Sequence, residues 1–242
     1  LMYDNAKIAP PKQVYPHHNL KEILDYCEKQ GINLYHYTLE FEDEDFKAYL
    51  YEVIDAMFKC VESGLAATGI IPGRLKLKRV AKSMYQQAIN TRRSGERDRL
   101  LVSSYAYAVS EENACGHQIV TAPTCGASGV LPAVLYYCYK QLGLPKKEII
   151  KALAVAGIFG NVIKTNATAE IGSACAMAAA AYGWILELNN SLIQYAGEMG
   201  LEHNLGLTCD PIGGYVQIPC IERNGFGALR AMDAAMYAKQ LG

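Results

Sequence analysis

No one sign of charge dominates this chain. Its 242 residues carry 23 Lys and Arg against 24 Asp and Glu, a formal net charge of -1. A nucleic-acid or acidic-membrane partner has no electrostatic footing on such a chain. An apolar run at the start is also lacking: LMYDNAKIAPPKQVYPHH reads as no secretory signal. The most apolar stretches are rich in Ala and broken by Gly, Lys or Asn, which fits buried helices better than membrane spans. Strand-like alternation is scarce, with YVQIP (215–219) the one short extended piece. Cysteine is not scarce, at eight residues, but most of the eight sit within helical patterns of a chain that is not small. That disfavours a disulfide scaffold and fits a reduced, cytosolic setting. What remains is apolar material, 51% of residues against 19% charged, enough for a sizeable core.

The pattern that is present is helical. Residues 1–18 read as a Pro-bearing linker or arm following another domain, and residues 19–242 as a single helical domain. Asn19 is expected to cap a helix Leu20–Gln30 that Gly31 stops. Phe46, Leu50, Val53, Ile54, Met57, Phe58 and Val61 mark a second helix by their spacing, ending between Gly64 and Gly69. IIPGRLKLKRVAKSMYQQA reads as a Pro-Gly turn and a basic helix, with Lys76, Lys78, Arg79 and Lys82 on a solvated face. RRSGERDR reads as a polar loop, followed by a helix Leu100–Asn113. TAPTCGASG (121–129) is a loop of small residues leading into a helix Val130–Leu142. Two apolar helices follow, one after Pro145 and one in IGSACAMAAAAYGWILEL, and their Ala and Gly residues suit close central packing. Asn190 is expected to cap the next helix, and ERNGFGALRAMDAAMYAKQ to close the chain as another. The fold class is therefore all-α, with two central Ala-rich helices and functional loops at helix ends.

One such loop is LTCDPIGGYVQIPC, Leu207 to Cys220. Asp210-Pro211 and Gly213-Gly214 force turns there, so two thiols, Cys209 and Cys220, bracket an irregular segment. Two thiols on one rigid loop suit a soft metal or an iron–sulfur cluster; two buried structural cysteines are the plainer alternative. In TAPTCGASG, Thr124, Gly126, Ala127 and Ser128 are candidates for a carboxylate cradle, because small residues expose amides at a helix start. An ordinary helix-start loop is the alternative. His203 and Asn204 precede the cysteine loop, and Lys164 and Asn166 end the first central helix. Each reads either as a site residue or as a cap. Asp210 and Glu222 are placed to fix the loop by bonds to its amides.

LEHNLGLTCDPIGGYVQIPCIERN, IVTAPTCGASGVLPAVL, AEIGSACAMAAAA, PGRLKLKRVA and SEENACG together resemble the alpha, or catalytic, part of the iron–sulfur-dependent L-serine dehydratases, also called L-serine ammonia-lyases. The likeness runs over essentially the whole chain. It implies conversion of L-serine to pyruvate and ammonia with a [4Fe–4S] cluster. It puts Cys209 and Cys220 on two of three cluster-ligating cysteines. The third is expected in a loop just before AEIGSAC, which is missing here because Thr168 runs directly into Ala169. Cys175 is not that cysteine; it lies within the following helix. Three ligands leave one iron open to the serine hydroxyl, whose departure as hydroxide needs a Lewis acid.

The resemblance also tilts Thr124, Gly126, Ala127 and Ser128 toward substrate contact; Asn166 and Asn204 are further substrate-binding candidates, and His203, by its closeness in sequence to Cys209, and Lys164 are the catalytic ones. It implies a second part, either a beta chain or an N-terminal domain of the same polypeptide, and a homo-oligomer is expected. Two rival readings stand beside it. A pyridoxal-phosphate dehydratase would need an α/β fold and a Schiff-base lysine. A structural or regulatory helical subunit would bind no metal.

Overall fold

Ten α-helices and one 3-10 turn make up the regular structure of a computed structural model that describes residues 13–166, 170–208 and 210–242, with residues 165 and 166 in backbone only. In chain order they are α1 (Leu20–Gln30), α2 (Leu34–Phe41), α3 (Phe46–Ala66), α4 (Ala81–Asn90) and α5 (Ser94–Ala114). α6 (Val130–Lys140), α7 (Lys146–Asn166), α8 (Glu170–Ile185), α9 (Asn190–Glu202) and α10 (Cys220–Leu241) complete the set. Among the described residues, β structure is limited to one antiparallel bridge, Ile70 to Lys78. The domain is all-α, as its patterning implies.

α8 is the axis. Every residue from Ile171 to Gly183 is buried, and six of them are alanines that form helix with little loss of side-chain freedom. α6, α7, α9 and α10 pack around it. α7 presents Ile149, Ala152, Val155, Ala156 and Phe159 to the same core. α2 and α3 lie on α7, and α5 joins α3, α4, α6 and α10. With α8 fully enclosed, polar groups collect at the helix ends. The start of α8, the start of α10, the loop before α6 and the turn after α9 meet at one such end.

The helix boundaries follow local chemistry. Asn19 accepts from the Glu22 amide, and Gly31 closes α1 at φ 67°. The arm is packed where it is described: Tyr15 stacks on Tyr37 at 5.6 Å and donates to Glu42 at 2.5 Å. α2, eight residues rich in aromatics, was not expected from the pattern.

The structure corrects several expectations. α4 begins only at Ala81 because Glu111 accepts from the amides of Val80 (2.6 Å) and Ala81 (3.1 Å) and so starts the helix there. Residues 69–79 form a hairpin-like lobe instead, closed by Ile71 N to Leu77 O (2.8 Å) and Arg79 N to Gly69 O (2.9 Å). Arg79 is not on a solvated face: its side chain is 5% exposed and paired with Glu111 and Glu112. The polar stretch from Ser94 to Arg99 is the exposed start of α5, since polarity alone does not break a helix.

The cap of α9 is Asn189, which accepts from Leu192 N at 2.9 Å. Asn190 instead ties Ile32 O and Leu34 N to this helix. YVQIP is a set of turns, with Ile212 N bonded to Ile218 O (2.9 Å), so the segment closes on itself and pairs with no strand.

Glu111 shows the strain in this arrangement. Burial raises its carboxyl pKa, while the Val80 and Ala81 amides and Arg79 pull it down. Replacing Arg79 by Ala strands two buried carboxylates, and urea unfolding should show a loss of about 3–5 kcal/mol. Lys76→Ala, at an exposed position, should leave stability unchanged. A folded-state glutamate pKa above its unfolded value means that ionisation opposes folding. The Arg79→Ala deficit should therefore shrink as pH falls from neutral toward the ordinary glutamate range.

Candidate active site

Three segments meet at the end of α8, and one side chain joins two of them. Asn224 is fully buried in the second turn of α10. Its Nδ2 donates to Gly126 O (2.7 Å) and to Cys220 O (2.8 Å), and its Oδ1 accepts from Gly129 N (2.8 Å). The loop before α6 and the start of α10 are thereby held in register. Asn113, near the end of α5, adds a bond to Cys125 O at 3.0 Å. Thr124 Oγ1 accepts from Ala127 N (3.3 Å) and donates to Glu170 Oε1 (2.7 Å), which links the loop to the first residue of α8. A side chain at Gly126 would displace that carboxylate from its place beside Thr124.

These segments enclose a cavity of about 70 Å³, room for a few water-sized groups. Gly126, Glu170, Gly172, Asn204, Gly206, Thr208, Cys220 and Arg223 are among its walls. The glycines leave space, and the remaining groups carry a thiol, a carboxylate, an amide, a hydroxyl and a guanidinium. Arg223 donates to Thr208 O at 2.6 Å, fastening the end of the 203–208 turn to α10. Arg230, two turns on, donates to His203 O (3.1 Å) and Asn204 Oδ1 (2.9 Å). Asn204, 3% exposed, also donates to Gly200 O at 2.8 Å. Cys175 lies deep in α8, and burial pushes its thiol up to about 12. It is a packing residue, unsuited to ligation or nucleophilic work.

The family model for the serine dehydratase alpha chain matches residues 12–241. The chain belongs to that family. It is 42% identical to an L-serine dehydratase of Haemophilus influenzae over 242 positions, covering 93% of this chain and 53% of that protein. An L-serine dehydratase of Streptomyces coelicolor is 41% identical, covering 93% and 52%. L-serine dehydratase 2 of Escherichia coli is 34% identical, covering 95% and 54%. The chain thus spans about half the length of these curated relatives. The match to the H. influenzae protein needs 242 positions for only 93% of this 242-residue chain, so the relative holds residues inside the matched stretch with no counterpart here.

Gly126, Asn204 and Cys220 share the one cavity, and Thr124 meets it through Glu170. Ala127 and Ser128 are buried in the turn into α6, where the Ser128 hydroxyl donates to Cys125 O at 2.8 Å. His203 is exposed at the end of α9. Lys164 is exposed and lines a different hollow, with Tyr15, Glu42 and Thr121 to Pro123. Cys209, the side chain of Asn166 and the Thr168–Ala169 junction lie outside the described residues. Among the described residues no three His, Cys, Asp or Glu side chains gather to hold a metal. Asp210 and Glu222 are exposed, and among the described residues Arg223, Gln217 and Asn224 fix the loop instead.

Sequence reasoning missed Glu170, Arg223, Asn224 and Arg230. Glu170 and Arg223 stood within quoted motifs, but a lone charge carries no sign of its partner. The Asn224 bridge is testable by stability. Asn224→Ala leaves two carbonyls and one amide without their partner and should lower unfolding free energy by about 2–4 kcal/mol in urea. Loss below about 0.5 kcal/mol would mean that the bridge is dispensable.

Proposed function

We propose that this chain carries the reaction site of an L-serine ammonia-lyase, which makes pyruvate and ammonia with a [4Fe–4S] cluster. The observation that carries this reading is the convergence of Cys220, Glu170, Arg223 and Asn204 on one glycine-walled cavity in a chain of this family. The donor chemistry fits such a group: Cys220 is a buried thiol lining the cavity, and Thr208, the residue before Cys209, lines it as well. Cys209, Cys220 and a third cysteine expected between Thr168 and Ala169 would hold the cluster, which when bound supplies a Lewis acid for the β-hydroxyl. The residues that the H. influenzae relative holds inside the matched stretch leave length for an encoded loop in this family.

The chain's own residues account for substrate handling. Arg223, in the cavity wall, suits the serine carboxylate by charge. Thr124 fixes one oxygen of Glu170 and so orients that carboxylate as a proton acceptor for the α-carbon. His203 and Lys164 remain candidates only if residues outside the described set, or a second part, bring them to the substrate. Most of the cysteines are set within helices, which suits a reduced, cytosolic setting. No described helix is long and apolar enough to cross a membrane.

A beta chain or N-terminal domain would complete the enzyme, since the relatives are about twice as long as the matched stretch. The mouth of the cavity offers it a docking face. Arg223 and Arg230 bracket Phe226 on one side of α10 and both bond the 203–208 turn. Phe226 is 65% exposed, and Leu205 in that turn is 60% exposed. Ile212 and Val216 extend exposed apolar surface along the cysteine loop.

Anaerobic reconstitution of the full-length enzyme with iron and sulfide, followed by a pyruvate assay with L-serine, tests the reading. Cys220→Ser should abolish iron retention and activity, and Glu170→Gln should lower kcat about 10²–10⁴-fold with iron content unchanged. Pyruvate formation by sulfide-free protein, or full activity in Cys220→Ser, would refute it. Phe226→Asp should weaken binding of the separately produced second part at least about tenfold without changing the melting temperature. Unchanged affinity would place the docking face elsewhere.

A further inference from the structure

None of the residues that wall the candidate cavity belongs to the 69–79 lobe, yet both ends of the lobe are tied down by polar contacts. At its base, Arg79 is buried against Glu111 and Glu112 of α5, and the second oxygen of Glu112 meets His117 Nδ1 at 2.8 Å. At its tip, Pro72 O accepts from Gln217 Nε2 at 2.7 Å. Gln217 is 3% exposed and sits three residues before Cys220. Its backbone carbonyl accepts from Ile221 N (2.9 Å), within the first turn of α10, and its amide donates to Tyr215 O (2.7 Å). The tip is closely seated. A Cβ on Gly73, at φ 122°, would come within 3.3 Å of both Gln217 Nε2 and the Tyr215 ring.

From these contacts we infer that Gln217 is a positioning residue: it couples the 211–220 segment, which ends at Cys220, to the Arg79 anchor through the lobe. The inference rests on the cluster reading above for its functional meaning, though not for its geometry. The bonds of the 211–218 turns, such as Ile212 N to Ile218 O, lie within the segment itself, so its place against the rest of the fold needs an external brace. Gln217 gives that brace one strong contact. Its side-chain oxygen, Oε1, is buried with no hydrogen-bond partner among the described residues, so Nε2 alone ties the side chain to the lobe. Arg79 serves the brace from the far end. Its pairing with two carboxylates makes the base of the lobe rigid, and Ile71, 1% exposed, packs the lobe inward.

The test uses the full-length protein and two variants that act on opposite sides of one contact. Gln217→Leu removes the donor, and Gly73→Ala pushes the tip away. In the apo protein, amide hydrogen exchange of residues 211–221 should quicken at least about tenfold in both variants, with α6 to α8 unchanged. In the anaerobically loaded protein, iron release to a chelator should quicken by a similar factor, with melting temperatures of the apo forms within a few degrees. Unchanged exchange over 211–221 in either folded variant overturns the proposal. So does faster exchange with unaltered iron release. If wild-type protein retains no iron, the cluster reading of the site fails, and the exchange result alone then decides whether Gln217 braces the loop.

Discussion

The site depends on one buried amide. Asn224 reaches the carbonyls of Gly126 and Cys220 and the amide of Gly129 at once, all within 2.7–2.8 Å. No other side chain type of that size offers two donors and an acceptor in one plane. The loop before α6 and the start of α10 are remote in sequence, and Gly129 N is one of the amides that a helix start leaves without an internal partner. By bonding that amide, the loop carbonyl of Gly126 and the carbonyl of Cys220, Asn224 joins the two segments into one wall. Without that, each loop would have to turn its polar groups to water, and there would be no enclosed cavity.

The rest of the architecture makes this economy possible. An axis of alanines in α8 lets α6, α7, α9 and α10 approach closely, and it leaves no room for polar chemistry inside the bundle. Charged and polar groups are thus driven to the helix ends. Glu170 stands at the first turn of α8, Cys220 at the first of α10, and Asn204 just beyond α9. The arginines of α10 then fasten the 203–208 turn over the opening. Fixed dipoles and charges of this kind suit the proposed dehydration, because a departing hydroxide and an α-proton both involve charge that water would otherwise solvate.

Much of this was legible in the sequence, for reasons that are themselves physical. α1 announced itself through Asn19 and Gly31, whose side-chain and backbone preferences act within a single turn. α7 and α8 were legible because an all-round apolar helix has nowhere to go but the centre. Gly126, Asn204 and Cys220 were picked out as site residues, and they share one cavity. What was not legible depends on partners distant in the chain. Arg79 stands in a run of basic residues and looks solvated until Glu111 and Glu112, more than thirty positions away, are folded against it. Glu170 and Arg223 are likewise ordinary charges until the cavity forms between them. The short aromatic α2 escaped notice because eight residues are too few to display a period.

The central claim is that Cys220 and its cavity hold the iron at which serine is dehydrated. Diffraction at the iron absorption edge from anaerobically grown crystals of the full-length enzyme measures that directly. The account predicts an anomalous peak in the cavity walled by Gly126, Gly172 and Cys220, within bonding distance of the Cys220 sulfur. Fully loaded, active crystals whose iron lies elsewhere, with the Cys220 thiol bound to none of it, would contradict the account.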